Sequence, residues 1–189
     1  MGNESETLIK AILDYAIGLS DSETLVATIE RALFSSLIPD VEAGRYSRAT
    51  EEAATRLRSV LTSDQLKPDL IRTAVRGLSK DPEVARRFPV EIAVERMDSV
   101  VDAGQLCYAE AVDLCALPWS SIEATIGSGR AIAIADLHED LDAIVHECDE
   151  GYVTCDTPYV GVLEKVECIR WDLRSFLREK NLRLLCLSM

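Results

Sequence analysis

Residues 104–126 read GQLCYAEAVDLCALPWSSIEATI, and this stretch decides the fold. Residues 108–115 have the spacing of a short helix that buries Ala111, Val112 and Leu114. Ala116-Leu117-Pro118 then forms a tight turn, with Leu117 filling the gap between two helices. Pro118 suits the entry to a second helix, because a proline needs no amide partner at a helix start. On that second helix Ile122 and Ile126, four apart, pack back toward the first. The product is a helix-turn-helix. Trp119, Ser120, Glu123 and Thr125 are expected on its outer face, where a DNA-reading helix carries its base-contacting side chains.

Outward from this segment the chain reads as helix almost throughout. A first helix over 6–18 carries Leu8, Ile9, Ile12, Leu13 and Ala16 at helical spacing. Ser20 and Glu23 form a capping box for a second helix with the stripe Leu25, Val26, Ile29, Leu33 and Phe34. Residues 39–44 are expected to be a loop. A third helix over 48–61 bears Ala53, Ala54, Leu57, Val60 and Leu61. A fourth, over 68–78, bears Leu70, Ile71, Ala74, Val75 and Leu78. Asp81-Pro82 opens a short helical turn and Phe88-Pro89 breaks it, which places a boundary between domains 1–88 and 89–189.

In the second domain a helix over 90–102 shows Ile92, Ala93, Met97, Val100 and Val101 on its apolar face. Gly127-Ser128-Gly129 is a break, and the alternation in RAIAIAD (130–136) allows one short strand. Helix returns over 137–148. After a loop at 151–157, Thr157-Pro158 opens a long last helix with Leu163, Val166, Ile169, Leu173, Phe176 and Leu177 inward. The tail LRLLCL (182–187) is too apolar to leave in water and is expected to pack or to form an interface. The fold class is therefore mainly α: a multi-helix bundle with a central helix-turn-helix and at most one short β element.

Composition agrees with this. Of 189 residues 48% are apolar, aromatics are only 5%, and nine glycines with six prolines leave little room for disorder. No apolar run approaches the roughly 20 residues that span a bilayer. The start MGNESET lacks a basic region followed by an apolar stretch, so a cytoplasmic location is expected. The six cysteines (107, 115, 148, 155, 168 and 186) are expected to be reduced, buried thiols.

Charge is placed unevenly. Residues 97–164 hold fourteen acidic side chains and one basic one, Arg130, a net −13 that equals the net charge of the whole chain. Residues 45–87 hold ten basic and six acidic side chains, a net +4. Duplex DNA is poorly matched to the acidic part, since phosphate affinity comes largely from Lys and Arg that displace counterions. A basic protein partner is easier to accommodate.

The quoted segment resembles the helix-turn-helix of small prokaryotic antitoxin-like proteins encoded beside PIN-domain toxins. Ile132-Ala133-Ile134, followed by Asp136, Leu137, His138, Glu139, Asp140 and Leu141, is similar to that family's strand and acidic helix. The resemblance covers roughly 91–144. It implies a regulatory, antitoxin-like protein-binding module that is not an enzyme and acts through an acidic helical surface. Leu106, Tyr108, Glu110, Leu117, Pro118, Ser121 and Ile122 are also similar to the promoter-reading domain of extracytoplasmic-function sigma factors, which implies a transcription regulator or a mimic of one. Where those factors carry basic residues, this chain has Glu123, Thr125 and Ser128. A structural helical subunit of a larger assembly is the third reading.

Other chemistry has little material. Asp136 and His138 are similar to the first metal motif of calcineurin-like phosphoesterases, but no Gly-Asp or Gly-Asn-His element follows. His138, His146, Cys148 and Cys155 are permitted zinc ligands at poor spacing. There is no Gly-x-Ser-x-Gly elbow, and Gly127-Ser128-Gly129 has no lysine of a phosphate loop. No cofactor is expected. Arg170, Arg174 and Arg178 recur every four residues as a basic stripe, read as a solvated face or as a dock for an acidic surface of nucleic acid or of a second copy. Trp119, Ser120, Glu123, Thr125, Arg170, Arg174 and Arg178 are therefore the candidate partner-binding residues. A protein partner is expected, DNA contact is disfavoured by charge, and homo-oligomerisation is left open.

Overall fold

A computed structural model describes residues 4–32, 38–61, 73 and 75–187. Among these the protein is mainly helical and contains no strand. Leu33, Phe34, Leu70, Ile71 and Ala74 lie outside the described residues, as do the side chains of Ala54, Leu57, Val60 and Leu61. The chain forms two compact units, Met1–Phe88 and Pro89–Met189.

In the first unit, α1 (Glu4–Ala16) and α2 (Ser22–Ala32) pack together, and α2 meets α4 (Arg48–Leu61). Leu8, Ile9, Ile12, Leu13 and Ile17 are fully or almost fully buried, with Leu25 and Ile29 opposite. The cap of α2 is Asp21 rather than Ser20: its carboxylate accepts the Thr24 amide at 2.8 Å. Of the loop expected at 39–44, residues 39–42 belong instead to the short helix α3 (Ile38–Glu42), which packs on α4, and residues 43 and 44 form a turn.

Asp81 ties this unit together. It caps α5 (Pro82–Arg87) by accepting the Glu83 amide at 2.9 Å. It also accepts the Ser47 amide at 2.9 Å and the buried Thr50 hydroxyl, so the starts of α4 and α5 share one carboxylate. Burial pushes the Asp81 carboxyl up, but the hydrogen bonds from Thr50, Ser47 and Glu83 outweigh it and hold the group below its ordinary range. A lowered folded-state pKa gives stability that is present above the unfolded value, near 4, and lost as pH falls through the folded value. Asp81→Ala is therefore expected to cost about 2 kcal/mol at neutral pH. In urea melts the gap to the native protein should narrow below about pH 4. A gap that is unchanged down to about pH 2 would contradict this account.

The second unit is built around α6 (Pro89–Ala103), which is buried over much of its surface: Val90, Ile92, Ala93, Val94, Met97 and Val100 are covered, and so are Glu91 and Glu95. A helix of this kind belongs inside a bundle. α7 (Tyr108–Cys115) and α8 (Trp119–Ile126) both pack on α6 and on α9 (Ser128–Asp149). α10 (Val160–Leu187) lies along α6 and also meets α9.

The strand allowed at 130–136 is corrected to helix. Ile134, Leu137, Leu141, Ile144 and Cys148 recur at three- and four-residue spacing and are all buried, so one continuous stripe seats α9 on the bundle. Ile132, the other half of the apparent alternation, is left 70% exposed. The break is Gly127 alone, at φ 83° and ψ 164°, a conformation essentially restricted to glycine. The apolar tail continues α10 as helix, with Leu182 exposed.

Candidate functional site

The segment 104–126 folds as a bent pair of short helices. Leu117 is 5% exposed in the turn, and Ala111, Leu114 and Ile122 are fully buried. Val112, expected in the core, is 41% exposed, because the buried face of α7 passes through Ala111 and Leu114 instead.

Polar contacts fix this pair at its start. The Cys107 amide donates to Glu110 Oε2 at 3.0 Å, which closes the first turn of α7. The Tyr159 amide donates to the Leu106 carbonyl at 2.9 Å, and the Tyr108 hydroxyl donates to Asp149 at 2.7 Å. The entry to α7 is thereby joined to the end of α9 and to the loop before α10. At the far end of α7, Arg96 on α6 donates to the Asp113 carbonyl at 2.8 Å. The Cys115 thiol lies 3.4 Å from Asp142 on α9, and burial together with that carboxylate pushes it up to about 12. It is not a nucleophile at neutral pH. All six cysteines are free, and only Cys148 is buried; Cys155, Cys168 and Cys186 are exposed, against expectation.

Four candidate residues belong to α8, and the structure separates them. Ser120 and Thr125 are exposed and Glu123 is half-buried. Trp119 is not on the outer face. It is 5% exposed, and its ring stacks on His138 of α9 with centroids 5.0 Å apart and planes at 21°. The turn at Pro118 rolls the first residue of α8 inward, where it seals the joint between α8 and α9.

The three arginines of α10 are separated as well. Arg170 and Arg174 are not a solvated stripe. Arg170 donates to one oxygen of Asp98 on α6 at 2.9 Å, and Arg174 to the other at 2.6 Å. Arg170 is 8% exposed. Both guanidiniums also lie by the Trp171 ring, 5.1 and 5.5 Å from its centroid. Burial pushes the Asp98 carboxyl up, against the pull of Arg174 and Arg170, so this clamp is held under desolvation. Only Arg178 is exposed.

α9 carries an acidic surface. Its outer face presents Asp136, Glu139, His146, Glu147 and Glu150, opposite the buried stripe. Asp142 and Asp149 turn toward α7, while Asp140 pairs with Lys165 of α10. The side chains of Glu139 and Glu150 make no hydrogen bond or ion pair among the described residues, while Asp136 lies within the electrostatic reach of Lys165. Arg130, the one cation of the segment, sits over the Phe176 ring at 5.5 Å and 3.7 Å from Glu179. It lines an open cleft of about 360 Å³ with Ile126, Lys180 and Arg183.

No family model, curated protein or solved structure matches the chain. Among the described residues no group of three or more His, Cys, Asp or Glu is placed to hold a metal ion, and no helix is long and apolar enough to cross a membrane. Sequence reasoning missed Asp98 and Trp171. The only local hint was the Trp standing between two of the regularly spaced arginines.

Proposed function

We propose that the chain is a regulatory binding module, antitoxin-like in its central segment, that holds a basic protein partner against the outer faces of α8 and α9. The observation that carries this reading is the exposed acidic row Asp136, Glu139 and Glu150, of which Glu139 and Glu150 have no ion-pair partner among the described residues, following an α8 that has no Lys or Arg. Carboxylates with no internal partner are free to steer and register a cationic surface. The same face would repel duplex DNA, and Arg130 is already engaged by Phe176 and Glu179. That weighs against the sigma-like reading. The antitoxin-like resemblance now rests on the bent helix pair, since Ile132-Ala133-Ile134 is helical rather than a strand.

The test is co-expression with the products of neighbouring genes, comparing the native chain with Asp136→Lys/Glu139→Lys/Glu150→Lys. The native chain should retain a basic partner at about 100 mM salt and release it as screening rises toward 1 M. The triple variant should fold and retain none. Equal capture by both chains would contradict the assignment.

A further inference from the structure

The face of α10 turned away from the bundle bears a second, unrelated pattern. Val160, Glu164, Cys168, Trp171, Ser175, Arg178, Leu182 and Cys186 are all exposed and follow one another at steps of three or four. They lie opposite the buried stripe Val166, Ile169, Leu173 and Leu177. Val160 and Leu182 are each 63% exposed and Trp171 is 48% exposed, an unusual amount of apolar surface for one helix face.

The pattern is symmetric about Trp171. Val160 and Leu182 lie eleven residues to either side of it, and Glu164 and Arg178 lie seven to either side. At 1.5 Å per residue these are offsets of about 16 and 10 Å along the axis. A face of this kind is complementary to itself when a second copy is laid across it antiparallel, with a two-fold axis through Trp171. Trp171 then meets Trp171, each Val160 faces a Leu182, and each Glu164 faces an Arg178. A parallel pairing would set Glu164 against Glu164 and Arg178 against Arg178, which like charges oppose. Neither Glu164 nor Arg178 has an ion-pair partner among the described residues.

The Asp98 clamp supports the same arrangement. By fixing Arg170 and Arg174 beside the Trp171 ring, it narrows the poses open to the indole before any partner arrives. A large side chain already immobilised loses little entropy on binding, which is why tryptophan serves as an interface anchor.

We propose that this face of α10 binds the same face of a second copy of the chain, as an antiparallel helix pair centred on Trp171. The surface is distinct from the acidic face of α9, so the test does not depend on the partner proposed above. Sedimentation of the full chain at about 50 µM should give a mass twice the 20.8 kDa of the monomer. Arg178→Glu alone, or Glu164→Arg alone, turns both cross pairs repulsive and should weaken the dimer by at least about ten-fold. The double variant Glu164→Arg/Arg178→Glu rebuilds both pairs with ends exchanged and should restore the native dimer. Trp171→Ser should be monomeric with an unchanged helical circular dichroism spectrum. A native chain that stays monomeric at about 200 µM overturns the proposal. So do single variants that dimerise as the native chain does, or a folded double variant that remains monomeric.

Discussion

Asp98→Ala is expected to destabilise the second unit by about 3–5 kcal/mol, the usual cost of leaving buried charge without its partner. The carboxylate is the one group shown to bind both Arg170 and Arg174, whose side chains are only 10% and 16% exposed. Removing it leaves Arg174 without this partner and Arg170 with only Glu167, 3.8 Å away and half-exposed, so two like charges remain close together at the α6–α10 contact. Replacing all three residues by apolar ones of similar volume should recover most of the loss, because the penalty lies in stranding the charges rather than in the lost attraction. Urea denaturation followed by circular dichroism measures both. A cost below about 1 kcal/mol for Asp98→Ala would place the clamp among ordinary surface ion pairs.

Trp119→Ala is the second large effect, again about 3–5 kcal/mol, as for deletion of a large buried aromatic ring. The contrast with its neighbour is the informative part. Ser120→Ala, on the exposed side of the same turn, should move stability by no more than about 0.5 kcal/mol. Were Trp119 a partner contact on the outer face, its removal would leave the denaturation midpoint in place and weaken only binding.

Much of the fold was legible because it is local. The bent pair at 108–126 follows from Pro118, from Leu117 and from the spacing of Ile122 and Ile126, and all of these act within one or two turns. The helical character of 128–149 was harder to read. Within RAIAIAD, two isoleucines among alanines fit a period of two as well as a period of 3.6. Only Leu137, Leu141 and Ile144, further along, show that Ile134 belongs to a helical stripe and Ile132 does not. The first part of the loop expected at 39–44 is a short helix that packs on α4, a contact that Pro39 does not announce, whereas 43 and 44 are the turn that Gly44 suggests.

The candidate site was less legible, for a physical reason. Whether Trp119 faces solvent depends on His138, which stands on another helix. The fate of Arg170 and Arg174 depends on Asp98, 72 and 76 residues away in sequence. A cation every fourth residue looks the same whether water or a buried carboxylate meets it. By contrast, the acidic character of the region was visible at once in the residue counts. What the structure adds is which carboxylates remain unpaired among the described residues: Glu139 and Glu150 do, while Asp98, Asp140 and Asp149 are bound internally and Asp136 lies near Lys165.

The proposed function requires that this helix-turn-helix does not hold duplex DNA. Fluorescence anisotropy of a labelled random duplex tests it most directly, titrated with the full chain at about 50 mM and again at about 300 mM salt. No rise in anisotropy is expected at either salt up to about 50 µM protein, where ordinary nonspecific DNA binders would be well bound at the lower salt. Low-micromolar binding that weakens steeply with salt and disappears in Arg130→Ala would contradict it.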